Sequence, residues 1–146
     1  MIGAQQLCTF RLDDQLFGIE ASLVQEVIRY QEMTRVPLAP PSVRGLINLR
    51  GQIVTAIDLR TRLGFPQRSS DALPMNVVVR SEEGAVSLLV DQIGDVVEVD
   101  TQHFEKPPAT LQSESRRLTK GAFKMDDNLL LLLDTVSTIQ INSEQL

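Results

Sequence analysis

The stretch Val43–Gly64, VRGLINLRGQIVTAIDLRTRLG, decides the fold. Leu46–Leu49 is a short apolar run and Gln52–Ile57 a second one rich in branched residues. The dipeptide Arg50-Gly51 separates them. Two such runs across a glycine-containing dipeptide predict a β-hairpin. Asp58 stands before LRTRLG, where Asp is a natural helix N-cap and Gly64 a natural stop, so one or two helical turns should follow. Arg50 is the unusual residue, a cation at the tip of an otherwise apolar hairpin.

Outward from this hairpin the chain reads as strands. Upstream, Gln6–Leu12 alternates, Asp13-Asp14 makes a turn, and Leu16–Ile19 returns, with Gly18 marking a bulge or close approach. The run SLVQEV from Ser22 is one helical turn capped by Ser22 or already strand. Val27–Tyr30 is extended, and Pro37, Pro40 and Pro41 make Arg35–Ser42 a connector. Downstream, FPQRSSDALP is a loop. Asn76–Arg80, Ala85–Val90 and Val96–Val99 are strands, with a turn at Glu82-Glu83-Gly84. Thr101–Ser115 is the longest predicted loop. Leu118–Met125 and Leu129–Leu133 form a second hairpin around Asp126-Asp127-Asn128, and Thr135–Ile141 closes the chain as a short helix or strand. Leu129–Leu133 has no alternation, which predicts a central strand buried on both faces. Many short strands and few helices predict an all-β protein, barrel or sandwich.

The two halves of the chain resemble each other. Arg44–Asp58 aligns without a gap on Lys120–Asp134, keeping a basic residue, a glycine, an apolar hairpin and a closing aspartate. Val24-Gln25-Glu26-Val27-Ile28 aligns on Ile93-Gly94-Asp95-Val96-Val97, each after a hairpin with an acidic tip. The expected architecture is two copies of a small barrel sharing a hydrophobic core, because a barrel of roughly 60–70 residues has a marginal core alone. The approximate lobes are 6–70 and 75–141 within one domain, 6–141, with exchange of terminal segments allowed. At the hairpin tip the first copy has Arg50-Gly51 where the second has an ordinary solvated Asp126-Asp127.

Composition narrows the class of function. The chain has 146 residues, is 42% hydrophobic and 23% charged, and carries a formal net charge of −5, which disfavours nucleic acid as the main partner. No 18-residue apolar run spans a membrane and no secretory leader is visible at MIGAQQ, so a cytoplasmic location is expected. The single cysteine, Cys8, excludes an internal disulfide and reads as a small core residue. His103, in TQHFEKPP, has no metal-ligand spacing and reads as a solvated loop residue. Asp91 and Asp95 suggest an acid/base pair on paper, but Asp95 aligns with Glu26 and both aspartates fall at strand ends, which favours structural positions. No P-loop, dinucleotide fingerprint or nucleophile elbow is present. No cofactor or metal is expected.

The stretch GLINLRGQIVTAIDLRTRLG, preceded by LVQEVIRYQEMTRVP and followed by LLVDQIGDVVEV, resembles the CheW family of chemotaxis coupling proteins. The resemblance runs from about Phe10 to Asp134. It implies two SH3-like five-stranded β-barrels around a shared core. It also implies a non-catalytic adaptor that binds the cytoplasmic tip of methyl-accepting chemotaxis receptors and the regulatory domain of a CheA-type histidine kinase, with other CheW-like domains as further partners. The family's paired glutamate and arginine fall on Glu26 and Arg50. The partner-binding candidates are therefore Glu26, Arg50 and Gly51, with Val24, Val27, Ile28, Val96 and Val97. Val27 and Ile28 face opposite ways in a strand, as do Val96 and Val97, so one of each pair points away from its own barrel. A groove lined by such valines suits the apolar stripe of a receptor helix, although a shared inter-lobe core explains the same pattern. The competing reading is a small-ligand-binding or enzymatic β-barrel that uses the inter-lobe groove. A third is a purely structural β module.

Overall fold

A computed structural model describes residues 3–69, 71–82 and 84–141. Glu83, in the predicted acidic turn, lies outside the described residues. The strands in chain order are β1 (Ala4–Leu12), β2 (Gln15–Glu20), β3 (Val24–Ile28), β4 (Val43–Leu49), β5 (Gln52–Asp58), β6 (Met75–Ser81), β7 (Gly84–Val90), β8 (Gln92–Asp100), β9 (Phe104–Glu105), β10 (Thr119–Lys124) and β11 (Leu129–Leu133). Three five-residue helices complete it: α1 (Leu59–Leu63), α2 (Ser113–Arg117) and α3 (Thr135–Ile139). The two ambiguous segments resolve as a 3₁₀ turn over Ala21–Leu23 leading into β3, and as helix α3. The long predicted loop is not structureless: it carries a 3₁₀ turn at Thr101–His103, then β9 and the start of α2.

The strands form two sheets. One has five strands in the order β3-β6-β7-β5-β4, the other six in the order β8-β1-β2-β11-β10-β9. Strand for strand the orders match, so the repeat is structural. The sixth strand is the two-residue β9, which pairs Glu105 with Ala122; its counterpart is a single bridge between Thr34 and Leu46, the residue aligned with Ala122. The repeated glycines explain this match. A Cβ on Gly45 would lie 2.6 Å from the Thr34 carbonyl oxygen, and one on Gly121 2.5 Å from the Glu105 carbonyl oxygen. Only glycine lets the returning chain cross there. The bulges repeat too, falling at Val24/Glu26 in β3 and opposite Cys8/Phe10 in β8.

The sheets do not follow the halves 6–70 and 75–141. Hairpin β1-β2 joins β8–β11 through a parallel pairing of β2 with β11, and hairpin β6-β7 joins β3–β5 through a parallel pairing of β7 with β5. Each half thus lends its first hairpin to the other half's sheet. This exchange makes one large core from both sheets, including Phe10, Phe17, Ile57, Leu63, Val77 and Leu131, while each sheet keeps a small core of its own. Leu129–Leu133 lies between β2 and β10, with Leu130–Leu133 buried, as its unbroken apolar run predicts.

Candidate functional site

The hairpin β4-β5 turns through Arg50 and Gly51, both with positive φ, 51° and 87°. Two positive φ values at the central residues are the type I′ geometry whose twist suits a hairpin. Glycine reaches it freely. Arginine does so against Cβ sterics worth roughly 1 kcal/mol. The Asn48 side-chain oxygen accepts the Gly51 N–H at 3.0 Å and fixes the turn from outside the central pair. Asp58 and Gly64 cap α1 as predicted: the Asp58 carboxylate accepts the Arg60 N–H, and Gly64 sits in the left-handed region.

Arg50 Nη2 donates to Glu26 Oε2. Glu26 is on β3 and Arg50 at the end of β4, the two opposite edges of the five-stranded sheet. The sheet therefore curls until its ends meet, and the ion pair clasps the seam. Inside the curl lie Ile47, Leu49, Val54 and Val78, with Ile28 packed against them. The Glu26 side chain is 20% exposed and that of Arg50 71%. The pair is a surface feature worth under about 1 kcal/mol to folding. Gly51 is exposed beside it.

The valine candidates divide by face. Ile28 and Val97 are half-buried against their own sheets' cores, and Val24 packs on the shared core. Val27 and Val96 are exposed, 44% and 58%. Val27 stands opposite Val77 and Val96 opposite Cys8, both members or neighbours of the shared core. Cross-strand partners share a face. Each exposed valine therefore prolongs a face of the shared core out into solvent. Ile53, four residues before the buried Ile57 on β5, does the same at 64% exposure. The structure brings Glu26 and Arg50 together, but it places Val27 and Val96 on edge strands of different sheets. Sequence reasoning missed Asn48 and Ile53. An asparagine two residues before Arg50-Gly51 was the available signal for the first.

It also missed a second polar cluster. Asp91 accepts from Arg60 Nε at 2.9 and 3.1 Å, from Arg68 Nη2 at 3.1 Å and from the Asp13 N–H at 2.8 Å. Arg60 also donates to Asp13 at 2.7 Å, and Arg68 and Arg44 donate to Asp58 at 3.0 and 3.3 Å. Burial alone pushes the Asp91 carboxyl up, but the hydrogen bonds from Arg60, the Asp13 amide and Arg68 outweigh it and hold the group below its ordinary range. The cluster ties the β1-β2 turn to α1 and the loop after it. It is a structural tie, and Asp95 takes no part: its backbone carbonyl accepts from Thr9 Oγ1.

A cavity of about 720 Å³ lies beneath the connector after β3, lined by residues that include Tyr30, Met33, Val36, Leu38, Pro40 and Arg44. None of the candidate valines lines it, so it is not the inter-lobe groove that a ligand-binding reading requires. Among the described residues no group of His, Cys, Asp and Glu is arranged to hold a metal ion. His103 ends a 3₁₀ turn and is exposed.

A family model described as a CheW-like domain matches residues 6–142. The chain is 29% identical over 132 residues to a probable chemotaxis protein CheW of Rhizobium etli, covering 90% of this chain and 85% of that one. It is 26% identical to the chemotaxis protein CheW of Bacillus subtilis over 141 residues, 97% and 90% of the two chains. Among solved structures, the scaffolding protein TtCheW of Thermoanaerobacter tengcongensis superposes with a TM-score of 0.85 at 26% identity, covering 99% of this chain and 98% of that one.

Proposed function

The chain belongs to the CheW family, and from that premise we propose that it is a chemotaxis adaptor that couples methyl-accepting receptors to a CheA-type histidine kinase. It acts by binding two partners at once and not by chemistry on a substrate. The observation that carries this reading is the Arg50–Glu26 clasp. It makes a rigid, exposed, charged tip out of two segments far apart in sequence. Arginine at such a tip is a common interface anchor. The tip, with Gly51, faces the kinase's CheW-like regulatory domain. The exposed Val27 and Val96, each backed by its own sheet through Val24 and Ile28 or Val97, are the apolar contacts offered to the helical receptor tip, from edge strands of different sheets. The adaptor then works on the cytoplasmic side of the membrane, held in receptor arrays by these contacts.

Titration calorimetry of the purified chain against the kinase regulatory domain, and separately against a receptor cytoplasmic fragment, tests the reading. Saturable binding to both, with a ternary complex on mixing, is expected. Binding to neither overturns it.

A further inference from the structure

The four strands at sheet edges are not alike. β3 and β4 meet at the Arg50–Glu26 clasp, and β9 is two residues long. β8 has nine residues and, among the described residues, exchanges backbone hydrogen bonds with β1 only. Its bulge falls before Val96, and from there to Asp100 the pairing with β1 is regular. Edges of this kind are ordinarily blunted by lysine or proline. The run DQIGDVVEVD, Asp91–Asp100, holds no lysine, arginine or proline and carries four acids. Val97 and Val99 turn into their sheet's core, so Val96, Glu98 and Asp100 share the outer face, and all three are exposed. Their neighbours on β1 are Cys8, Gln6 and Ala4, none of them a cation. Glu98 and Asp100 enter no ion pair among the described residues. Two such edges from two copies would set acid beside acid, which disfavours self-pairing.

We infer that the outer edge of β8 over Val96–Asp100 is a docking site for an extended, basic segment of another protein, which joins the sheet as a further strand. Its main chain pairs with the outward N–H and C=O groups of β8. Its side chains at every second position meet Val96, Glu98 and Asp100, so one is apolar and two are lysine or arginine. The main chain supplies the affinity and the two carboxylates select the charge. This goes beyond the adaptor reading and does not depend on it.

The probes are two short end-capped peptides with threonine at the intervening positions, one reading valine, lysine, lysine at alternate places and the other the reverse. Each is titrated into the isotope-labelled full chain, with backbone amide shifts and amide exchange followed by NMR. One of the two should bind, shift the β8 amides and slow exchange within Val96–Asp100. Glutamate in place of the peptide lysines should abolish binding. Glu98→Lys should weaken it roughly five- to ten-fold and leave the melting midpoint level, because its side chain is exposed. Binding by neither peptide, or slowed exchange at β3 or β4 in place of β8, overturns the site. Shifts without slowed exchange in β8 overturn strand addition. Equal binding by the glutamate peptide, or full binding by Glu98→Lys, overturns the charge match. Exchange in β8 that slows with protein concentration in the peptide-free chain would show the edge to pair with its own copy, and overturns the basic partner.

Discussion

The two copies of the barrel differ most at one place, the tip of the hairpin that closes each repeat. In the first, Arg50-Gly51 turns with both φ values positive and reaches Glu26 across the sheet seam. In the second, Met125 N–H donates to the Asn128 carbonyl at 2.8 Å around Asp126-Asp127, and neither aspartate enters the positive-φ region. The residues aligned with Glu26 and Arg50 are Asp95 and Asp126, so the second copy has no cation with which to form such a pair. A clasp is therefore not needed to form a barrel of this kind. Where the fold does not require a feature and the backbone is strained to keep it, the feature points to a use outside the fold.

The closing aspartates sharpen the same contrast from the structural side. Asp58 and Asp134 are aligned and both cap a short helix, Asp58 through the Arg60 N–H and Asp134 through the Ser137 N–H and hydroxyl. Asp58 is also 1% exposed and accepts from Arg44 and Arg68. Asp134→Ala removes a cap and should cost about 1 kcal/mol. Asp58→Ala also takes from the buried Arg68 one of its two carboxylates, Asp91 remaining, and should cost more, about 2–4 kcal/mol. Urea denaturation of the two variants measures both; equal losses would show the arginine contacts to be incidental.

Asp91 belongs to that same one-sided network, and its effect is read through pH. Its folded pKa lies below its unfolded value, near about 4. The stability it contributes is full above that unfolded value and disappears as pH falls through the folded one. The stability gap between wild type and Asp91→Asn should be widest at neutral pH and close in acid below about pH 4. Urea midpoints taken across that range check it, and a constant gap would remove Asp91's charge from the account.

Much of this was legible in the chain. Local signals named the β4-β5 hairpin, the Asp58 cap and the Gly64 stop, because each depends on residues within one turn of each other. The repeat gave the equivalence of strands. It did not give their partners: an alignment of two copies is indifferent to whether β2 pairs with its own copy's β5 or with the other copy's β11, and the parallel pairings of the exchanged hairpins leave no local trace. The resemblance placed Glu26 with Arg50. The network of Asp13, Asp58, Arg60, Arg68 and Asp91 stayed hidden because its members are spread over five separate positions that only the exchange brings together. Arg68 in particular reads as an ordinary loop cation, yet its side chain is 6% exposed.

At the first tip, binding and stability should separate. Arg50→Glu makes that tip acidic, like the second copy's. The pair it removes is exposed, so the fold should lose no more than about 1 kcal/mol. Binding to the kinase regulatory domain should fall at least about ten-fold, since a like charge replaces the anchor. A thermal melt beside a titration separates the two, and a collapse of the fold would make Arg50 structural.

The smallest effect is the most discriminating. Asparagine accepts the left-handed region more readily than arginine does, and Asn-Gly is a favoured type I′ pair. Arg50→Asn should therefore relieve backbone strain while giving up the surface ion pair. These two terms are of similar size, so the melting midpoint should stay level or rise by a degree or two. Binding should be lost as fully as with Arg50→Glu. A variant that folds as well as the parent but does not bind would mean that the arginine is kept, against the local preference of its own turn, for what it touches in another molecule. If Arg50→Asn melts several degrees lower, the clasp holds the five-stranded sheet closed, and the second copy must close by some other contact.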